Sequence, residues 1–254
     1  PHPGLRLASD LDLLVRAADL PAWGELLAAL GYGKFPDVDR TWRRAGRECV
    51  DLHASSSDLA GVVDVPEELS PIRLDLAGIF SRAARVPGLA LPAPGLEDHL
   101  LISAAHGLDV HLFSRLIWLL DVVVLLGRLD DRSRLTELAR SSGAHRPLYH
   151  SLKLAAGAGL LEPDGELLDG LRPQRIGRLE RKLLSRLARA PLPDRAEFLL
   201  ALAMPAPRGY RRTILRRALL PSRRTVNPGA GGAGRGVAGH FGRALRLLWL
   251  ATLG

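Results

Sequence analysis

Ser9-Asp10-Leu11-Asp12-Leu13-Leu14-Val15 is the stretch from which the rest of the chain is read. Side chains alternate between the two faces of a strand, so Asp10 and Asp12 share one face and Leu11, Leu13 and Val15 the other. Two carboxylates held side by side repel, and a divalent cation between them relieves that cost. Carboxylate oxygens suit Mg²⁺, which on one or two carboxylates usually completes its shell with substrate phosphates. Taken alone, an Asp-x-Asp pair often marks only a strand end or a capped turn.

A second alternating run lifts the pair above that. In Glu48-Cys49-Val50-Asp51-Leu52-His53, the side chains of Cys49, Asp51 and His53 fall on one face and those of Val50 and Leu52 on the other. Thr41-Trp42-Arg43-Arg44 precedes it across Ala45-Gly46, so residues 41–53 predict a hairpin. If that hairpin lies beside the first strand, Asp51 completes a three-carboxylate cluster with Asp10 and Asp12. Such a cluster holds one or two ions, one activating an attacking hydroxyl and the other neutralising a leaving pyrophosphate. Between the runs, Asp19 is placed to cap a helix with Pro21 in its first turn and Trp23, Leu26, Leu27 and Leu30 on one face, stopped by Gly31.

With these motifs on the page, the chain resembles the poorly characterised bacterial nucleotidyltransferases of the polymerase-beta superfamily. The resemblance rests on Gly4-Leu5-Arg6 leading into the Asp10/Asp12 strand, the helix ending in Leu30-Gly31-Tyr32, and Val50-Asp51-Leu52-His53. It continues through Asp98-His99-Leu100-Leu101, His106 and Leu116-Ile117-Trp118-Leu119-Leu120-Asp121, so it spans roughly residues 4–150. It implies transfer of a nucleoside monophosphate, AMP by default, from ATP or another NTP, with Asp10 and Asp12 as Mg²⁺ ligands and Asp51 as the third carboxylate. Some relatives are encoded beside peptide-modification genes, including those for lasso peptides, which points to a peptide or small-molecule acceptor. Ser9 and Arg6 are placed to meet phosphate, and His53 and His106 to meet substrate. Superfamily members also carry a Gly-Ser or Gly-Gly pair at a helix start before the Asp-x-Asp strand, where backbone N–H groups grip the triphosphate. Only eight residues precede Ser9 and the first is Pro1, so the expectation is an enzyme whose present chain lacks its N-terminal segment and with it part of the phosphate grip, a loss that can silence it. The alternative reading is a catalytically silent relative that binds nucleotide or a partner.

With 254 residues, 47% of them hydrophobic, the chain can bury a substantial core. A single cysteine, Cys49, excludes an intramolecular disulfide and fits a reducing cytoplasm. The net charge of +8 is unevenly spread. Ten of the 35 basic side chains follow Glu197, where no acid occurs, leaving 25 basic against 27 acidic side chains before it. That arginine-rich tail can meet phosphates, an anionic membrane surface or an acidic partner. It lacks the aromatic interleaving of a single-strand groove, which argues against nucleic acid.

The fold class expected is α+β. A small nucleotidyltransferase-type sheet with helices occupies residues 1–95, a helical region 96–222, and a Gly/Arg-rich linker with an amphipathic segment 223–254. A helix is expected near 74–84, then from Leu96 to His106, from Arg115 under a Ser114 cap to about Gly127, between Asp131 and Gly143, and near 145–160, 174–190, 194–204 and 208–220. The apolar run Leu116–Leu126 is interrupted by Asp121 and too short for a bilayer. Asp121 is expected to meet an arginine or cap a neighbouring helix. His99, Ser103 and His106 share a helical face, with Asp109 and His111 close behind. The seven-residue spacing from His99 to His106 does not suit chelation of one ion, so structural roles are expected.

Overall fold

A computed structural model describes residues 10–35, 40–59, 65–109, 112–113, 115–189 and 196–219. Ser9, Arg6, His111, Ser114 and the tail from residue 220 lie outside the described residues. Both alternating runs form strands: β1 spans Asp10–Leu14 and β4 Cys49–His53, and they pair in parallel. Between them come α1 (Leu20–Ala29), β2 (Gly33–Lys34) and β3 (Thr41–Arg43), giving a sheet of order β1-β4-β3-β2. The hairpin expected over 41–53 is the antiparallel pair β3–β4, with Thr41 opposite Asp51 and Trp42 opposite Val50. Parallel neighbours cannot be joined by a tight turn, and here the whole of α1, β2 and β3 separates β1 from β4.

The apolar face of the sheet packs on α1. Val15, Leu27, Val50 and Leu52 are buried together, flanked by Leu20, Trp23 and Trp42. Pro21 sits in the first turn of α1, and Gly31 at φ +81° follows its end, a conformation in which only glycine is unstrained. Two details depart from expectation. Leu26 and Leu30 are exposed, because the small sheet covers only the stripe Leu20, Trp23 and Leu27. Asp19 makes no side-chain cap bond, because a 3-10 turn over Ala17–Asp19 already holds its backbone in helical geometry.

After β4 the described chain is helical: α2 (Ser56–Leu59), α3 (Leu76–Arg82), α4 (Leu96–Asp109), α5 (Leu116–Leu126), α6 (Ser133–Ser141), α7 (His145–Gly157), α8 (Gly165–Leu171), α9 (Arg178–Leu187), α10 (Ala196–Ala203) and α11 (Tyr210–Leu219). The main core joins Leu100, Ala104, Val122, Leu135 and Leu148 to Leu59, Ile72 and Ile79, so the segment leaving the sheet is packed into the helices. Arg82 clamps α3 to the start of α4, donating from Nε and Nη2 to the two oxygens of buried Asp98 at 2.8 Å each. That clamp fixes the axis of α4, which carries His106. Asp75 and Asp164 cap α3 and α8, accepting from the N–H groups of Gly78 (2.9 Å) and Leu167 (3.0 Å). Among the described residues, no helix is long and apolar enough to cross a membrane. The mixed sheet followed by helices is the α+β class.

Candidate active site

Register decides what the polar face of the sheet carries. Asp12 is the direct partner of Asp51 across the β1–β4 pair, and Asp10 is the partner of Cys49. Asp10, Asp12, Cys49, Asp51 and His53 therefore occupy the face opposite the α1 core. Neighbouring strands lie about 4.8 Å apart and same-face residues about 6.6 Å apart along a strand, so the three acids share one small patch of that face. Asp10 and Asp12 are exposed, whereas Asp51 and His53 are half-buried.

Two neighbours engage these acids. The Thr41 hydroxyl, opposite Asp51 on β3, donates to Asp51 Oδ1. His53 Nε2 lies 2.8 Å from Asp12 Oδ1. With the side chains so arranged, no group of three His, Cys, Asp or Glu residues converges on one ion among the described residues. The donor chemistry nonetheless fits a hard cation, since three carboxylates share the face; Asp12 and Asp51 would have to turn from His53 and Thr41 to share an ion.

His106 on α4 faces this side of the sheet. Its imidazole titrates below the ordinary histidine range because it is buried; Asp12 and Asp10 act to raise it and His53 to lower it. The ring is therefore neutral at pH 7 while lying within electrostatic range of the acidic face. Its Nδ1 is 3.4 Å from the Leu59 carbonyl oxygen, and its ring centroid is 6.4 Å from that of Trp118. His99 is exposed one turn into the same helix.

A family model described as uncharacterised nucleotidyltransferase matches residues 1–157, from the first residue through the end of α7. The chain belongs to this family of nucleotidyltransferases. No curated protein and no solved structure matches it. In this nucleotidyltransferase, sequence reasoning named the acids but not the two β3 side chains on their face, Thr41 and Arg43. The Arg43 guanidinium stacks over the Phe35 ring at 4.3 Å, which places a cation on the same side of the sheet as Asp51. The period-two reading that located Asp10 and Asp12, applied to Thr41-Trp42-Arg43, carries the signal for both.

Proposed function

We propose that this nucleotidyltransferase moves a nucleoside monophosphate, by default AMP from ATP, onto a hydroxyl of a peptide or small-molecule acceptor, with Asp10, Asp12 and Asp51 holding one or two Mg²⁺ ions. The observation that carries the reading is the direct cross-strand pairing of Asp12 with Asp51, with Asp10 on the same face. Mg²⁺ held by these carboxylates would supply a lowered pKa for the acceptor hydroxyl and neutralisation of the departing pyrophosphate. The acceptor oxygen bonds to the α-phosphorus as the bond to the β-phosphate oxygen breaks, and pyrophosphate leaves.

The chain's own groups position that exchange. His53 orients the Asp12 carboxylate from 2.8 Å. The Thr41 hydroxyl donates to Asp51 and orients its carboxylate on the face. Arg43, held over the Phe35 ring, supplies positive charge for the triphosphate. Ser9 and Arg6, just upstream of β1 in sequence, add phosphate contacts, and His106 presents a neutral imidazole to the substrate. A reducing cytoplasm suits the single Cys49.

The test incubates the chain with Mg²⁺, α-labelled ATP and pooled peptides and metabolites. Label transfer that falls about a thousandfold in Asp12→Asn is the expected result, as several kcal/mol of charge stabilisation disappear. Mn²⁺ binding followed by paramagnetic resonance should weaken in the same variant, independently of turnover. Transfer or Mn²⁺ affinity equal to the parent's would sink the assignment. The second reading, a silent nucleotide-binding relative, draws on the engagement of Asp12 and Asp51 by His53 and Thr41. It predicts calorimetric ATP binding with no transfer to any acceptor.

A further inference from the structure

Far along the chain from the acidic residues, basic side chains converge on a cavity of about 430 Å³ at the start of α7. Its lining draws on five separated segments: residues 71–72, the end of α6, the first turn of α7, residues 174–175 and residues 204–205. Arg140, His145, Arg146 and Arg175 line it, and no carboxylate does so among the described residues. None of the acidic-face residues lines it either. Elsewhere arginines meet acids, as in Arg82 with Asp98 and Arg132 with Asp164 at 2.7 Å. Arg140 and Arg175 make no ion pair with a carboxylate among the described residues. Arg146 has its counter-charge in Glu180, whereas Arg140 and Arg175 stand exposed beside it without one among the described residues, so the cavity keeps an excess of positive charge that an anion would offset.

The walls are built to hold their shape. Arg146 donates to the fully buried carboxylate of Glu180 and, through Nη2, to the Arg175 carbonyl oxygen at 2.7 Å. His150 and the Gly177 N–H complete the shell of Glu180 at 2.8 and 3.2 Å. Arg140 is anchored through Nε to the Gly170 carbonyl oxygen at 2.7 Å, with its guanidinium at the rim. Gly143, at φ +74°, brings the turn against residues 71–73; a Cβ there would lie 2.2 Å from the Pro71 carbonyl oxygen. The Arg73 N–H closes that contact on the Ser142 carbonyl oxygen at 2.7 Å.

Two further features point to an anion. The thirteen-residue helix α7 begins at the cavity with no side chain capping its N-terminus, so the positive end of its dipole adds to the arginines. The Nδ1 atom of His145 is buried with no hydrogen-bond partner among the described residues. Burial, then Arg140 and Arg146, hold that ring below the ordinary histidine range, while the Ala139 carbonyl pulls the other way without giving Nδ1 a well-formed bond. Ile72 and Met204 supply an apolar side, which suits an organic body attached to the charged group.

We infer that this cavity is a second ligand site, built to take the phosphate group of a small phosphorylated molecule between Arg140, Arg146, Arg175 and the start of α7. Its wall from Gln174, Arg175 and Met204 lies beyond the 157 residues matched by the family. The site thus combines a helix inside the matched stretch with residues that follow it.

Calorimetric titration of the full chain tests this, with glycerol phosphate, inorganic phosphate and glycerol as the probes. Glycerol phosphate is expected to bind one to one and glycerol not at all. Arg175→Gln should weaken binding about tenfold through loss of a charge-assisted contact. Gln174→Glu, which sets a carboxylate at the exposed rim, should weaken it at least as much while the thermal midpoint stays put. Arg223→Gln with Arg224→Gln, in the basic tail, should change nothing. The inference is overturned by an absence of binding, by unchanged affinity in Arg175→Gln and Gln174→Glu, or by loss in the tail variant. Tighter binding of inorganic phosphate than of glycerol phosphate would assign the cavity to the free anion and overturn the organic ligand. No readout depends on nucleotidyl transfer, so this result and that of the acidic face are independent.

Discussion

The acidic face of the sheet and the basic cavity of the helices both gather like charges, by opposite routes. Asp10, Asp12 and Asp51 come from two neighbouring strands and stand at or near solvent, where repulsion is screened and carboxylates keep their freedom to turn. Arg140, Arg146 and Arg175 come from three separate segments, and the most enclosed of them, Arg146, is tied to buried Glu180. Exposed like charges cost little stability and adapt to an arriving ion. An enclosed one, as Arg146 is while Arg140 and Arg175 stand exposed at the rim, must be fixed by a partner beforehand, and the fold then depends on that partner.

The largest difference should appear when the fixed partner is removed. Glu180→Gln leaves Arg146 and His150 beside an uncharged amide, and urea unfolding should show a loss of about 3–5 kcal/mol. Burial opposes ionisation of Glu180, yet the hydrogen bonds of His150 and Arg146 outweigh it, so its carboxyl titrates below the usual glutamate value of 4.5. A folded value below the unfolded one means the contribution is present above about pH 4.5 and disappears as pH falls through the folded value. The parent should lose stability in that acid range and Glu180→Gln should not.

Gly143→Ala comes next. Its positive φ and the 2.2 Å approach to Pro71 should together cost about 2–4 kcal/mol in the same assay, and an unchanged midpoint would show that the cavity floor is adaptable. His106 tests the acidic side by titration. Burial holds its folded pKa under the unfolded value of 6.5, so the unfolded chain binds more protons and stability declines as pH falls below about 6.5. His106→Asn should flatten part of that decline, leaving the share of His145, which is shifted the same way. The smallest effect is expected from Asp12→Asn without added metal, a change of under about 0.5 kcal/mol, since the side chain is 55% exposed. A larger loss would mean that the acidic face, like the cavity, is a structural keystone.

The same contrast governs what could be read in advance. Alternation over residues 10–15 and 49–53 exposes the acids because strand periodicity is local, and the Asp12–Asp51 register then follows from simple pairing. β2 went unread because Gly33-Lys34 is too short to alternate, and α8 because Gly165 and Gly170 weaken its helical signal. The cavity had no local signature, being assembled from segments spread over residues 71–205. One trace of it was present: Arg146 and His150 stand four apart on α7, on one helical face, and both turn to the single acid Glu180 of α9.

The parallel pairing of β1 with β4 carries one more consequence. Asp12 and His53 are 41 positions apart in sequence, and Asp51 becomes a neighbour of Asp12 only when every element between them is in place. The unfolded chain offers isolated carboxylates and no shared coordination shell. An ion bridging the strands would accordingly bind the native state alone, and at a hundred times its dissociation constant mass action would add about 2.7 kcal/mol to the unfolding free energy. Occupancy of the acidic face and integrity of the sheet are then one equilibrium.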